Sequence, residues 1–144
     1  MSTIEAEQKK IVAEFSLLND WMDRYEYLIQ LGGELPPLEA RYKTPEFLIE
    51  GCQSRVWLVP EFSEGKVFFR ADSDAEIPKG IISLLLKVFS GRTPEEILQH
   101  ELFFIREIGL AENLSPTRSN GLLQMVRQMK WYAMAYQSQQ TRFT

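Results

Sequence analysis

Few side chains in this sequence can do covalent or proton-transfer chemistry. There is one cysteine, Cys52, and one histidine, His100. Cys52 stands in Glu50-Gly51-Cys52-Gln53-Ser54-Arg55. The glycine before it reaches backbone angles that other residues avoid, which suits a sharp loop. A thiol on such a loop can be offered to a second molecule, and it reacts as the thiolate, so access and nearby positive charge decide its use. Arg55 is close, although on an extended chain it points to the opposite face. The competing reading makes Cys52 inert filler, because free cysteine is among the most buried residue types.

A cysteine hydrolase needs an imidazole within hydrogen-bond reach of the thiol. His100 lies between Gln99 and Glu101 on what reads as a solvated helical face, which favours a structural or solvent-exposed role. Asp72 and Asp74 fall between a strand and a proline-started helix, where turn chemistry explains them better than a metal or acid–base pair. A closed structural zinc site needs more Cys and His ligands than Cys52 and His100 supply. A single cysteine forms no intrachain disulfide and agrees with a reducing compartment.

The elements that must position these residues are legible in the pattern. Ile4, Ile11, Phe15, Leu18, Met22, Tyr25 and Ile29 recur at helical spacing, predicting one long amphipathic helix from Ile4 to Leu31 that stops at Gly32-Gly33. The Pro36-Pro37 loop follows. Ser54–Phe62 and Lys66–Ala71 read as a hairpin around Ser63-Glu64-Gly65, with a further strand around Glu46–Gly51. Pro78 sits in the first turn of a helix running to Phe89, ended by Gly91. Thr93-Pro94-Glu95-Glu96 is a helix start with a capping box. Gly109 closes a short helix containing Leu102–Ile108, and Ser115-Pro116 opens the last helix. Leu122, Met125, Val126, Met129 and Tyr136 give that helix its apolar face. Trp131, Tyr132 and Met134 are read as core packing with them. The expected fold is α+β, one domain over residues 1–144, with a small antiparallel three-stranded sheet packed against several helices.

Bulk properties narrow the function classes. The chain has 144 residues, enough for one domain with a core of its own. With 44% hydrophobic and 25% charged residues, the composition is that of a globular protein and not of a disordered one. A net charge of -4 without a basic stripe disfavours nucleic acid. Met1–Gln8 is polar, and Ile81–Phe89 is interrupted by Ser83 and Lys87, so neither a signal peptide nor a membrane span is expected. The cytoplasm is the expected location.

Several segments in order carry a resemblance. They are Trp21-Met22-Asp23-Arg24-Tyr25 with Leu28-Ile29-Gln30-Leu31-Gly32, then Gly51-Cys52-Gln53-Ser54 followed by Val56-Trp57-Leu58. Ser73-Asp74-Ala75, Lys79-Gly80, Ser90-Gly91-Arg92-Thr93-Pro94 and Leu114–Leu122 complete the series. Across nearly the whole chain they resemble the motifs of the SufE family, which includes the closely related CsdE proteins. Pro78 departs from the small β-branched residue of that pattern, and Ile49-Glu50 is an unusual pair before Gly-Cys.

The resemblance implies a SufE/IscU-like fold and a sulfur acceptor in iron–sulfur cluster assembly. Cys52 would take persulfide sulfur from a cysteine desulfurase (SufS- or CsdA-like), stimulate it, and relay the sulfur toward iron–sulfur scaffold proteins. Pyridoxal phosphate would belong to the desulfurase, with no cofactor on this chain. Gly51, Gln53, Ser54, Arg118 and Asp74 would organise the loop or contact the partner. The chain would be a sulfurtransferase-like carrier and not a standalone enzyme. An interaction module with an inert thiol, and a cysteine hydrolase, are the alternatives.

Overall fold

A computed structural model describes residues 3–143. The order is α1 (Ile4–Ser16), α2 (Trp21–Gly33), β1 (Val56–Ser63), β2 (Lys66–Ser73), α3 (Glu76–Phe89), α4 (Pro94–Gln99), α5 (Phe104–Glu107), α6 (Leu110–Asn113) and α7 (Pro116–Phe143). Between α2 and β1 the chain makes two 3-10 turns, Ala40–Tyr42 and Pro45–Phe47.

The expected single helix from Ile4 to Leu31 is two. The Thr3 hydroxyl accepts from the Ala6 amide (3.0 Å) to start α1. The Asp20 carboxylate accepts from the Asp23 amide (2.9 Å) and starts α2 afresh. An acidic cap satisfies an amide that a continuous helix would have bonded to a backbone carbonyl, so the chain can break there cheaply. Arg24 compensates the exposed ends, donating to the carbonyls of Leu18 (3.3 Å) and Ile108 (2.9 Å). The break also rotates the buried face: Leu28 and Leu31 go inside, while Met22 stays 68% exposed.

β1 and β2 form an antiparallel hairpin in register from Val56↔Ser73 to Ser63↔Lys66. The turn residues Glu64 and Gly65 both have positive φ (53° and 78°), as a two-residue hairpin turn of matching twist requires. The expected third strand at Glu46–Gly51 does not form. Pro45 opens a 3-10 turn, and pairing is confined to the single bridge Leu48↔Trp57, with the Ile49 amide donating to Val56 O (2.8 Å). Gly51, at φ 86°, then turns the backbone into a left-handed conformation that no strand continues through. Among the described residues the sheet therefore has two strands.

Helix α3 is the axis of the molecule. It is apolar nearly all round, burying residues from Ile77 to Phe89 against α2, β2 and α7. Its one buried hydroxyl, on Ser83, donates to Leu31 O (3.2 Å). Gly80 permits the closest crossing: a methyl there would overlap the Leu28 carbonyl, lying 2.6 Å from its carbon. The capping box of α4 is present, with Glu96 N to Thr93 Oγ1 at 3.2 Å and Thr93 N to Glu96 Oε1 at 3.0 Å. α7 buries Leu122, Met125, Met129 and Ala133. Trp131 and Met134, expected in the core, lie on its outer face at 59% and 57% exposure. Gln8 of α1 is buried and bonded at both ends of its amide, to Glu101 O (3.2 Å) and from the Phe104 amide (3.2 Å). No helix among the described residues is long and apolar enough to cross a membrane.

Asp72, expected in turn chemistry, is an ionic node. It meets Lys43 Nζ at 2.9 Å and Lys79 Nζ at 3.4 Å, tying the 34–55 connection to β2 and α3. Burial opposes ionisation of this carboxylate. The Lys43 ammonium, the Ser73 amide and Lys79 outweigh it and hold the pKa below the ordinary value.

Two outcomes follow from this packing. Gly80→Ala should lose about 3 kcal/mol, a fall in Tm of roughly 10 °C, whereas Gly33→Ala, where a methyl meets nothing within 4 Å, should not destabilise. Equal thermal denaturation of the two variants would contradict the close crossing. Asp72→Asn should cost roughly 1 kcal/mol at neutral pH, because both ammonium groups are partly solvated. A depressed carboxylate pKa stabilises above the unfolded value of about 3.9 and is lost as pH falls through the folded value. The gap between variant and wild type in urea titrations should therefore close in acid.

Candidate functional site around Cys52

The loop Glu50–Arg55 crosses between the hairpin and the start of α7. At its far end the backbone is clamped onto the turn after β2. Asp74 Oδ1 accepts from the Arg55 amide (3.0 Å), and the Asp74 amide donates to Arg55 O (3.2 Å). The Ser73 hydroxyl donates to the same carbonyl (2.7 Å). At its near end, Asn120 Nδ2 donates to Gly51 O (3.0 Å). Gly51 is constrained twice, by its positive φ and by Gln124, whose Cγ would lie 2.9 Å from an added Cβ.

Between these supports Cys52 is half-buried, and its Sγ points to Gly121 O at 3.7 Å, the distance of a weak S–H donor. Gly121 contributes backbone alone here; a Cβ on it would touch Sγ at 3.5 Å. A cavity of about 70 Å³ opens beside the sulfur. The loop lines it with Cys52, Gln53 and Ser54; β1 and α3 with Val56, Pro78 and Ile81; and α7 with Thr117, Arg118, Gly121 and Met125. A water molecule needs roughly 10–15 Å³ by a comparable measure, so there is room beside the thiol for another sulfur atom. Burial pushes the Cys52 pKa above its ordinary value. This burial disfavours the thiolate while Cys52 lies in its resting place.

The structure brings together Gly51, Cys52, Gln53, Ser54 and Arg118, and places Asp74 as a clamp on Arg55 and not in the cavity. His100 is elsewhere: it ends α4, its Nδ1 lies 2.7 Å from Glu96 O, and its own carbonyl accepts from Lys130 (3.4 Å). Asn120 and Gln124 were not among the sequence candidates. Their signal is tertiary, since nothing in the spacing of α7 tells that its first turns face the cysteine loop. Among the described residues no group of three or more His, Cys, Asp or Glu side chains is placed to hold a metal ion.

A profile of the SufE family, described as an Fe-S metabolism associated domain, matches residues 9–133. The chain belongs to the SufE family. An uncharacterized SufE-like protein of Rhizobium etli is 44% identical over 126 residues, covering 84% of this chain and 85% of that protein. The solution structure of a hypothetical protein from Thermus thermophilus superposes with a TM-score of 0.74 at 22% identity. It covers 92% of this chain and 96% of the other, and shows that the fold is shared. Membership ties this SufE-family chain to Fe–S metabolism.

The burial of the thiol predicts a particular alkylation profile. The rate of Cys52 modification should rise with pH to a midpoint above the value of about 8.5 for a free cysteine, and should return to it in denaturant. A native midpoint at or below the free value would mean that an unrecognised cation, not burial, sets the state of the thiol.

Proposed function

We propose that this protein accepts sulfur from a cysteine desulfurase on Cys52 and relays it to iron–sulfur cluster assembly. The observation that carries the reading is Cys52 itself: the cysteine of the family's Gly-Cys-Gln-Ser segment, on a loop, with a cavity of about 70 Å³ against its sulfur. The partner's cysteine would arrive as a persulfide, formed with the pyridoxal phosphate that the desulfurase holds. The Cys52 thiolate attacks the terminal sulfur. A new S–S bond forms on Cys52 while the donor's S–S bond breaks, and the donor cysteine leaves as its thiolate. No external oxidant is needed, because one S–S bond replaces another.

The chain's own residues supply positioning. Gly51 and Asp74 set the two ends of the loop, while Gln53, Ser54 and Arg118 border the cavity where the outer sulfur would lie. Arg118 is exposed and cationic at that border, suited to a persulfide anion or to an acidic surface of the partner. In this role the protein is a carrier that speeds the desulfurase by removing its product.

The rival reading, an interaction module with an unused thiol, draws on the half-burial and raised pKa of Cys52. A hydrolase reading lacks its base, since His100 is engaged at the end of α4. Intact-protein mass spectrometry after incubation with a desulfurase and free cysteine separates them. Wild type should gain one reducible sulfur and Cys52→Ser none. An unmodified wild type beside active desulfurases would favour the module.

A further inference from the structure

Cys52 is half-buried, and its Sγ is turned inward toward Gly121 O on α7 (3.7 Å). An outward swing of Cys52 would open it to another protein's sulfur. The contacts that such a movement breaks are few. Toward Arg55 the chain is pinned by Asp74 and Ser73 through bonds of 3.0, 3.2 and 2.7 Å, which anchor the pivot. Toward Gly51 the loop rests on α7 through Asn120 Nδ2 to Gly51 O (3.0 Å) and the weak Sγ contact to Gly121 O (3.7 Å). Sulfur is a poor donor, so the amide of Asn120 provides most of the directional hold. Asn120 is exposed, and its bond competes with water, leaving a net worth of roughly 0.5–1.5 kcal/mol. That is enough to keep the loop shut in most molecules and small enough for a docking surface to replace.

We propose that Asn120 is the positioning residue that latches the Cys52 loop onto α7, and that release of its bond to Gly51 governs how readily Cys52 is presented to a donor. The acceptor reading supplies the purpose of that presentation; the latch itself can be measured on the isolated chain. Gln124 supports the shut position by filling the space beside Gly51, and Gly51 reaches that position because it carries no side chain.

The experiment is iodoacetamide alkylation of Cys52 in wild type, Asn120→Ala and Asn120→Gln, with thermal unfolding of each. Removing the amide should accelerate alkylation roughly three- to tenfold, the range equivalent to one lost hydrogen bond, with Tm falling by no more than about 6 °C. Asn120→Gln, which keeps the donor, should return the rate to within about twofold of wild type. An Asn120→Ala rate equal to wild type overturns the latch. So does an acceleration that Gln does not reverse or that accompanies a fall in Tm of more than about 6 °C, because a merely structural role predicts those. Sulfur loading from a desulfurase decides the acceptor reading separately, so failure of either is recognisable without the other.

Discussion

The crossing of α2 over α3 at Gly80 is the constraint on which the rest of the arrangement depends. The two backbones approach so closely that the Leu28 carbonyl occupies the space of a side chain on residue 80. Ser83 Oγ, one turn on, satisfies the carbonyl of Leu31 within the same contact. This closeness seats α2 directly against the α3 backbone. With α2 seated in this way, the other faces of α3 remain for β2 and α7. The cysteine loop then has one available course, across the gap between hairpin and α7, with Pro78 and Ile81 of α3 forming the wall of its cavity.

That position sets two requirements against each other. Burial keeps a thiol neutral and shields whatever is bonded to it from bulk reductants, but nucleophilic attack needs the thiolate and an open approach. The structure serves the first at rest: Cys52 is half-buried, Arg118 is exposed at the cavity rim, and burial is the cause of the raised pKa. In the proposed acceptor role, the second would come from a change of surroundings on docking. A thiol activated permanently by an adjacent cation would be reactive toward every electrophile in solution. One that is activated by leaving its cavity reacts where a partner holds it. Under that proposal, selectivity would come from the loop's equilibrium more than from the intrinsic chemistry of the cysteine.

What was legible in the sequence was what local physics determines. The capping box at Thr93–Glu96, the turn within Ser63-Glu64-Gly65 and the glycine before Cys52 are each specified by neighbours within a few residues, and each is found, with Ser63 itself ending β1. The helix break at Asp20 was missed because apolar spacing continues through it, and a short acidic cap leaves a fainter trace than proline. The third strand was misjudged because Leu48 and Ile49 have strand-like side chains, while Pro45 and the left-handed Gly51 leave room for only a single bridge. Helical spacing groups Trp131 and Met134 with the core residues, although one face of α7 is all that the core can use and both lie on the other. Asn120 could not be found from spacing at all, because its importance lies in a carbonyl 69 residues away.

The uneven fastening of the cysteine loop follows from these same features. At Arg55 the loop joins β1, whose first pair Val56↔Ser73 is continued by the Asp74 and Ser73 bonds, so movement there would cost several bonds at once. At Gly51 it leaves a connection built of 3-10 turns, where one bridge, the Asn120 amide, the weak Sγ contact to Gly121 O and the packing of Gln124 hold it. A loop held this way hinges at its strand end and opens at its helix end. Gly51 is the residue best able to absorb the change, since it already occupies a backbone region that other residues avoid and can leave it at little cost. The glycine before the cysteine thus serves the loop twice: it permits the shut conformation, and it keeps the path out of it low in energy.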